Sequence, residues 1–90
     1  MHFEFTEDAR EDFEYWLDRD KVIAGKIREI LKDISTNPIK GIGKPEPLKF
    51  RLKGYWSRRI NPEHRLVYKL TGKKGEEEKC LVIMCRHHYD

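Results

Sequence analysis

Ninety residues make one small domain, and such a chain buries only about 60–65% of the surface it exposes when unfolded, so its core must be compact. Charged residues are 39% and hydrophobic ones 38%, with two Trp, four Tyr and four Phe; this excludes a disordered chain, and no apolar run approaches the roughly 20 residues of a membrane span. The net charge of +3 hides an asymmetry: residues 1–37 carry six Lys/Arg against ten Asp/Glu, a balance of −4, while residues 38–90 carry thirteen against six, a balance of +7 that turns the second half towards a polyanion.

The chain starts Met1-His2-Phe3-Glu4-Phe5, without the basic segment and apolar run of a signal peptide, so the expected location is cytoplasmic. Phe3 and Phe5 alternate with His2 and Glu4, which predicts a short first strand. Thr6 suits a helix N-cap, and Glu7 and Asp8 suit the positive end of the helix that follows. Ala9, Phe13, Trp16 and Leu17 fall on one stripe of it. A break is expected around Asp18 to Asp20, then a second helix from near Lys21 with Ile23, Ile27, Ile30, Leu31 and Ile34 on one face. Asn37-Pro38 ends it, because the residue before a proline avoids the helical region.

Pro38 to Pro47 reads as a loop. From Leu48 the period becomes two: Leu48, Phe50 and Leu52 are expected to face the helices, with Lys49, Arg51 and Lys53 on the other side. Gly54 turns the chain into Tyr55–Ile60, Asn61-Pro62 turns it into His64–Leu70, and a polar loop from Thr71 to Lys79 leads to Cys80–Arg86, apolar on both faces like a central strand. The expected fold is α+β in the order β-α-α-β-β-β-β, one domain over residues 1–90. Two helices cover one face of a mainly antiparallel sheet, and Lys49, Arg51, Arg65 and Lys69 stand on the wet face.

Cys80 and Cys85 lie an odd number of residues apart in one strand, so they are expected on opposite faces and unable to bridge. Cys85, His87 and His88 match no common zinc spacing.

Among candidate functional residues Arg65 ranks first, because its alternation with Leu66 and Tyr68 places it on the open sheet face. A guanidinium held there can pair with a phosphate and stabilise added charge, or form a cross-strand ion pair with Glu63 or Glu46. Glu46 is fixed between Pro45 and Pro47 with Lys44 and Lys49 nearby, which suits an ionised carboxylate accepting a proton; the simpler reading is an exposed loop glutamate. Glu63 ranks below it as a base and fits as an orienting partner for Arg65. Lys49 and Arg59 are candidate RNA-backbone contacts, and Arg58, on the opposite parity, is expected to pack or solvate an edge. His64 points towards the Leu66/Tyr68 side and reads as structural. Of His87 and His88 only one can face the basic surface, and either suits acid–base work near neutrality; Tyr89 could stack on a base.

These residues carry a resemblance. Gly43-Lys44-Pro45-Glu46-Pro47-Leu48-Lys49, Gly54-Tyr55-Trp56-Ser57-Arg58-Arg59-Ile60, Glu63-His64-Arg65-Leu66-Val67-Tyr68 and Cys85-Arg86-His87-His88-Tyr89 resemble the YoeB toxins of the RelE superfamily, as does Glu11-Asp12-Phe13-Glu14-Tyr15-Trp16 in the first helix. The resemblance implies a microbial-ribonuclease-like fold and a type II toxin that docks in the 30S ribosomal A site and cuts mRNA without metal or cofactor. It implies a YefM-like antitoxin, a homodimer, contact with operator DNA only within the antitoxin complex, and no membrane. By position, Glu46 would be the general base, Arg65 the phosphate stabiliser, His88 the general acid and Tyr89 a positioning residue, with Lys49, Arg59 and Glu63 in support and Arg51 on the same RNA-facing surface. The rival reading is a non-catalytic RNA- or ribosome-binding inhibitor of translation. Two departures stand out: a longer Thr71–Lys79 loop, and Asp90 after the tyrosine, an extra carboxylate expected either to raise the pKa of His88 or modestly to repel RNA.

Overall fold

The computed structural model describes residues 1–72 and 77–87. In chain order these form β1 (His2–Phe5), α1 (Glu7–Arg19), α2 (Lys21–Thr36), β2 (Glu46–Pro47), a 3-10 turn (Phe50–Leu52), β3 (Tyr55–Arg59), β4 (Arg65–Thr71) and β5 (Lys79–Met84). The five strands lie in the order β1-β5-β4-β3-β2; β1 and β5 run parallel and the other pairs antiparallel. Among the described residues no helix is long and apolar enough to cross a membrane.

The helical hairpin follows its capping chemistry. Thr6 Oγ1 accepts from the Ala9 amide (3.2 Å), satisfying one of the orphan donors at the start of α1. Asp20 is the whole interruption between the helices. Its amide donates to Trp16 O (2.7 Å) and closes α1, while its carboxylate accepts from the Val22 and Ile23 amides (3.1 and 3.2 Å) and opens α2. Ala9 and Trp16 of α1 and Ala24, Ile27, Ile30 and Ile34 of α2 are buried against Leu66, Tyr68, Cys80 and Val82 of the sheet. Each fully buried Ile, Leu or Val contributes roughly 1.5–3 kcal/mol, so this layer holds most of the fold together.

Two sequence expectations are corrected. The strand expected from Leu48 is only Glu46–Pro47, paired with Ser57 and Trp56, and extended by one bond from the Leu48 amide to Tyr55 O (2.9 Å). A strand running to Lys53 would have to reverse on Gly54 alone, whereas an antiparallel pair needs a connection of at least two residues. The chain instead closes a wider loop, with the Leu52 amide on Lys49 O (3.1 Å) and the Lys53 amide on Phe50 O (3.0 Å). Leu48 stays buried, but Phe50 is 92% exposed.

The cysteines share one side of the sheet instead of lying on opposite faces. Tyr68 pairs with Val82 and Val67 with Met84, so one step along β4 matches two along β5 and Ile83 is the extra residue of a bulge. The extra residue shifts the alternation by one, and Cys85 turns into the same core as Cys80 and Val82. Both thiols are free, and burial pushes each up to about 12, which makes them packing groups rather than nucleophiles.

Candidate active site on the open sheet face

The face of the sheet turned away from the helices carries the charged residues. Tyr55, Ser57 and Arg59 of β3 stand opposite Lys69, Val67 and Arg65 of β4. Lys69 Nζ lies 5.4 Å from the centre of the Tyr55 ring, and Ser57 and Val67 form a fully buried floor between the two charged ends. At one end Arg59 and Arg65 are direct cross-strand partners. Like charges placed directly opposite destabilise an antiparallel pair, so this arrangement calls for an anion.

Glu46 supplies part of that anion. Pairing of β2 with Ser57 places its carboxylate on the same side, and its Oε1 lies 3.5 Å from Arg65 Nη1. The contact is long and half open, with Arg65 at 17% and Glu46 at 51% side-chain exposure, so both groups are reachable from solvent. This is the cross-strand ion pair that the sequence allowed. Arg59 Nε is buried and has no hydrogen-bond partner among the described residues. Lys49 caps the 3-10 turn and Arg51 lies within it; both are exposed and, with Glu46 and Phe50, line an open cleft of about 710 Å³. Because 50–52 is a 3-10 turn, Lys49 and Arg51 reach the site from a loop, not from a strand face. Glu63 is exposed in the turn before β4, where its amide donates to Asn61 Oδ1 (2.8 Å).

The chain after β5 is tied towards Arg65 by α1 and β4. Asp12 accepts from the Cys85 amide (3.2 Å), and Trp16 Nε1 donates to Cys85 O (2.8 Å). The Arg86 guanidinium sits 3.5 Å from the centre of the Tyr15 ring. The His87 amide donates to His64 Nδ1 (2.8 Å), and the Arg65 amide donates to His87 O (3.1 Å). His87 is held with φ of +69°, an unfavourable backbone for a residue with a side chain. His64, packed edge-on against Trp16 at 4.7 Å between ring centres, therefore has a structural place. Accepting at Nδ1 fixes its proton on Nε2. His88 and Tyr89, together with Asp90 and residues 73–76 of the expected long loop, lie outside the described residues.

Of the two places the sequence allowed Arg58, packing or solvating an edge, it takes the first and is completely buried on the helix side; what the sequence did not show is its network of partners. Its guanidinium donates to Asp33 Oδ2 (2.6 Å), Tyr68 Oη (3.1 Å), Ile42 O (3.0 Å) and Asn37 O. Asp33 also accepts from the Ile42 amide (3.0 Å), and Tyr68 donates to Pro38 O (2.7 Å). The Arg58 hydrogen bond, helped by the Ile42 amide, holds the Asp33 carboxyl below its ordinary value, and burial raises the Tyr68 hydroxyl. At Gly41, φ is +109° and a Cβ would overlap the Asp33 carboxylate, so the loop leading to Glu46 closes only over glycine. The available signal was two charged residues, Asp33 and Arg58, at positions neighbouring core residues on α2 and β3.

A helical hairpin on one side of a five-stranded sheet, and a carboxylate with opposed arginines on the other, define a small α+β domain with a charged open face. The family model of the YoeB-like toxin of bacterial type II toxin–antitoxin systems matches residues 5–89. Toxin YoeB of Escherichia coli K12 is 46% identical over 89 residues, covering 99% of this chain and all of that protein. The structure of the YoeB/ParE toxin from Agrobacterium tumefaciens superposes with a TM-score of 0.93 at 40% identity, covering 99% of this chain and 100% of the other. YoeB of Staphylococcus aureus is similar both as a dimer (TM-score 0.87, 43% identity) and in a heterotetrameric YoeB–YefM complex (TM-score 0.86, 43% identity), each covering 99% of this chain and 98% of the other. The chain belongs to the YoeB-like toxins of type II toxin–antitoxin systems.

Proposed function

We propose that this toxin is a ribosome-dependent endoribonuclease that cuts mRNA by 2′-hydroxyl attack, using side chains for every proton transfer. The observation that supports this most directly is the meeting of Glu46 with Arg65, itself directly opposite Arg59, on an otherwise open face. In the reaction, Glu46 takes the 2′-hydroxyl proton as the 2′-oxygen attacks the adjacent phosphorus. Arg65 leaves its long contact with Glu46 for the phosphate and stabilises the charge gathering on the non-bridging oxygens. His88 gives a proton to the departing 5′-oxygen, and Tyr89 places the scissile nucleotide. The products are a 2′,3′-cyclic phosphate and a 5′-hydroxyl. Lys49, Arg51 and Arg59 hold the backbone, their cationic heads being suited to phosphate oxygens. Glu63 supports Arg65 from the turn.

By the same reading, this chain docks in the 30S A site, forms a homodimer and is neutralised by a YefM-like antitoxin, contacting operator DNA only within that complex. The seven-charge excess of residues 38–90 supports an acidic antitoxin segment and RNA as competing occupants of one face.

Inducing the chain should arrest growth, and Glu46→Ala, Arg65→Ala and His88→Ala should each relieve the arrest while leaving the melting temperature within a few degrees. A general acid or base contributes about 10²–10⁴-fold to rate, so purified variants should cleave message in programmed ribosomes at least about 100-fold more slowly. Parental toxicity in all three variants would reject this site.

A further inference from the structure

Phe50 stands apart from the other exposed apolar side chains. It is 92% exposed and, among the described residues, is the one aromatic of the large exposed apolar side chains, the others being Met1, Val22 and Ile39. It also adopts φ of +57°, a left-handed backbone that is strained for a bulky residue and would be relieved by glycine. Single exposed apolar residues are ordinary on protein surfaces. An exposed ring that also holds its backbone in a strained conformation gains nothing from the fold for doing so. Strain of this kind clusters where a chain meets a ligand.

Its surroundings indicate which ligand. Lys49 and Arg51 flank it directly, the Lys53 amide closes the turn by donating to Phe50 O (3.0 Å), and the ring borders the same cleft as Glu46. An aromatic face framed by cations fits single-stranded nucleic acid, in which flat bases alternate with phosphates. Pro47, Leu48 and Leu52 also line the cleft, but Leu48 is buried and Leu52 partly so, and the exposed side chains on either side of the ring are the cations Lys49 and Arg51, which suits a nucleic-acid strand better than an apolar peptide.

We propose that Phe50 is a stacking platform for a base of the RNA strand next to the scissile phosphate, with Lys49 and Arg51 taking the phosphates on either side of that base. This rests on the ribonuclease reading and deepens it, because a stacking residue beside the cleft sets how the strand is presented to Glu46.

The test uses programmed ribosomes carrying 2-aminopurine in the A-site codon, with the Glu46→Ala chain so that the message stays intact. Binding of that chain should quench the base. Adding Phe50→Ala should abolish the quenching and weaken binding about tenfold, whereas Phe50→Trp should keep both. Phe50→Ala should melt no lower than the parent, since it removes an exposed ring. Equal quenching with and without the ring, or no quenching by either chain, overturns the proposal. So does a result in which Phe50→Ala weakens only antitoxin binding, which would give the ring to a protein partner. Cleavage by the parental chain is scored separately: intact message there rejects the ribonuclease reading, while the quenching comparison still decides the stacking.

Discussion

Arg58 and Arg59 are consecutive residues of β3 and have opposite fates. Arg58 points to the helices, is wholly buried and donates to a carboxylate, a phenol and two carbonyls. Arg59 points to the open face, stands directly opposite Arg65, and keeps a buried Nε without a partner among the described residues. On one side of the sheet cationic hydrogen bonding is used up in holding Asn37, Ile42 and Asp33 in place. On the other it is left available. The same side-chain chemistry becomes scaffold or site according to strand parity alone, and the scaffold arginine fixes the loop that carries Glu46.

The contrast is broken most severely at Arg58. Removing Arg58 takes the donor from a carboxylate, a phenol and two carbonyls at once and empties a fully buried site, so Arg58→Ala should lower the melting temperature by about 15 °C or more. Arg59→Ala should melt close to the parent, or slightly above it once the opposed charge is gone, while cleavage and RNA affinity fall. Calorimetry of the two variants side by side decides this, and an equal loss of stability would remove the distinction.

His64 sharpens it on a smaller scale. Its Nδ1 accepts the amide of His87, so His64→Leu should misplace the residues that follow, and small misplacements of a reacting group cost up to about 100-fold in rate. His64→Asn offers a side-chain oxygen near the position of Nδ1 and should recover much of that loss. Cleavage rates that fall equally in both variants would reduce His64 to packing.

Smaller still is the effect of acid on Asp33. Its carboxyl is held below the ordinary value of 3.8, chiefly by Arg58. The folded form therefore binds this proton less readily than the unfolded chain, and the stability it contributes is fully present above the ordinary value and lost as pH falls through the lowered one. The gap in melting temperature between the parent and Asp33→Asn should stay flat down to about pH 4 and close below it. The mildest expectation concerns Cys80 and Cys85: thiols pushed to about 12 by burial should resist alkylation at pH 8 until the chain unfolds.

Much of this was legible in the residues, for a physical reason. The helices announce themselves locally, through the Ile23-to-Ile34 stripe and through Thr6 and Asp20 as caps, and alternation in Arg65–Thr71 reveals which way Arg65 points. What was lost depends on partners distant in sequence. Alternation in 48–53 looks like a strand until the pairing of Pro47 with Trp56 centres the reversal between Arg51 and Leu52, so that these residues turn instead of running on to Gly54. The bulge at Ile83 exists only in the register between β4 and β5, so no local pattern could place Cys85 beside Cys80. The burial of Arg58 needs Asp33, 25 residues away, and the contact of Glu46 with Arg65 spans 19. The choice of His88 over His87 rested on family resemblance, and His88 and Tyr89 lie outside the described residues.

The central claim is that the open face cuts message where the ribosome presents it. The most direct measurement maps mRNA 5′ ends across the transcriptome shortly after induction of the parental chain and of Arg65→Ala. The account predicts new 5′-hydroxyl ends in phase with codons for the parent, and their disappearance in Arg65→Ala. Intact messages under a full arrest of translation would contradict it and establish a toxin that blocks the ribosome by occupancy.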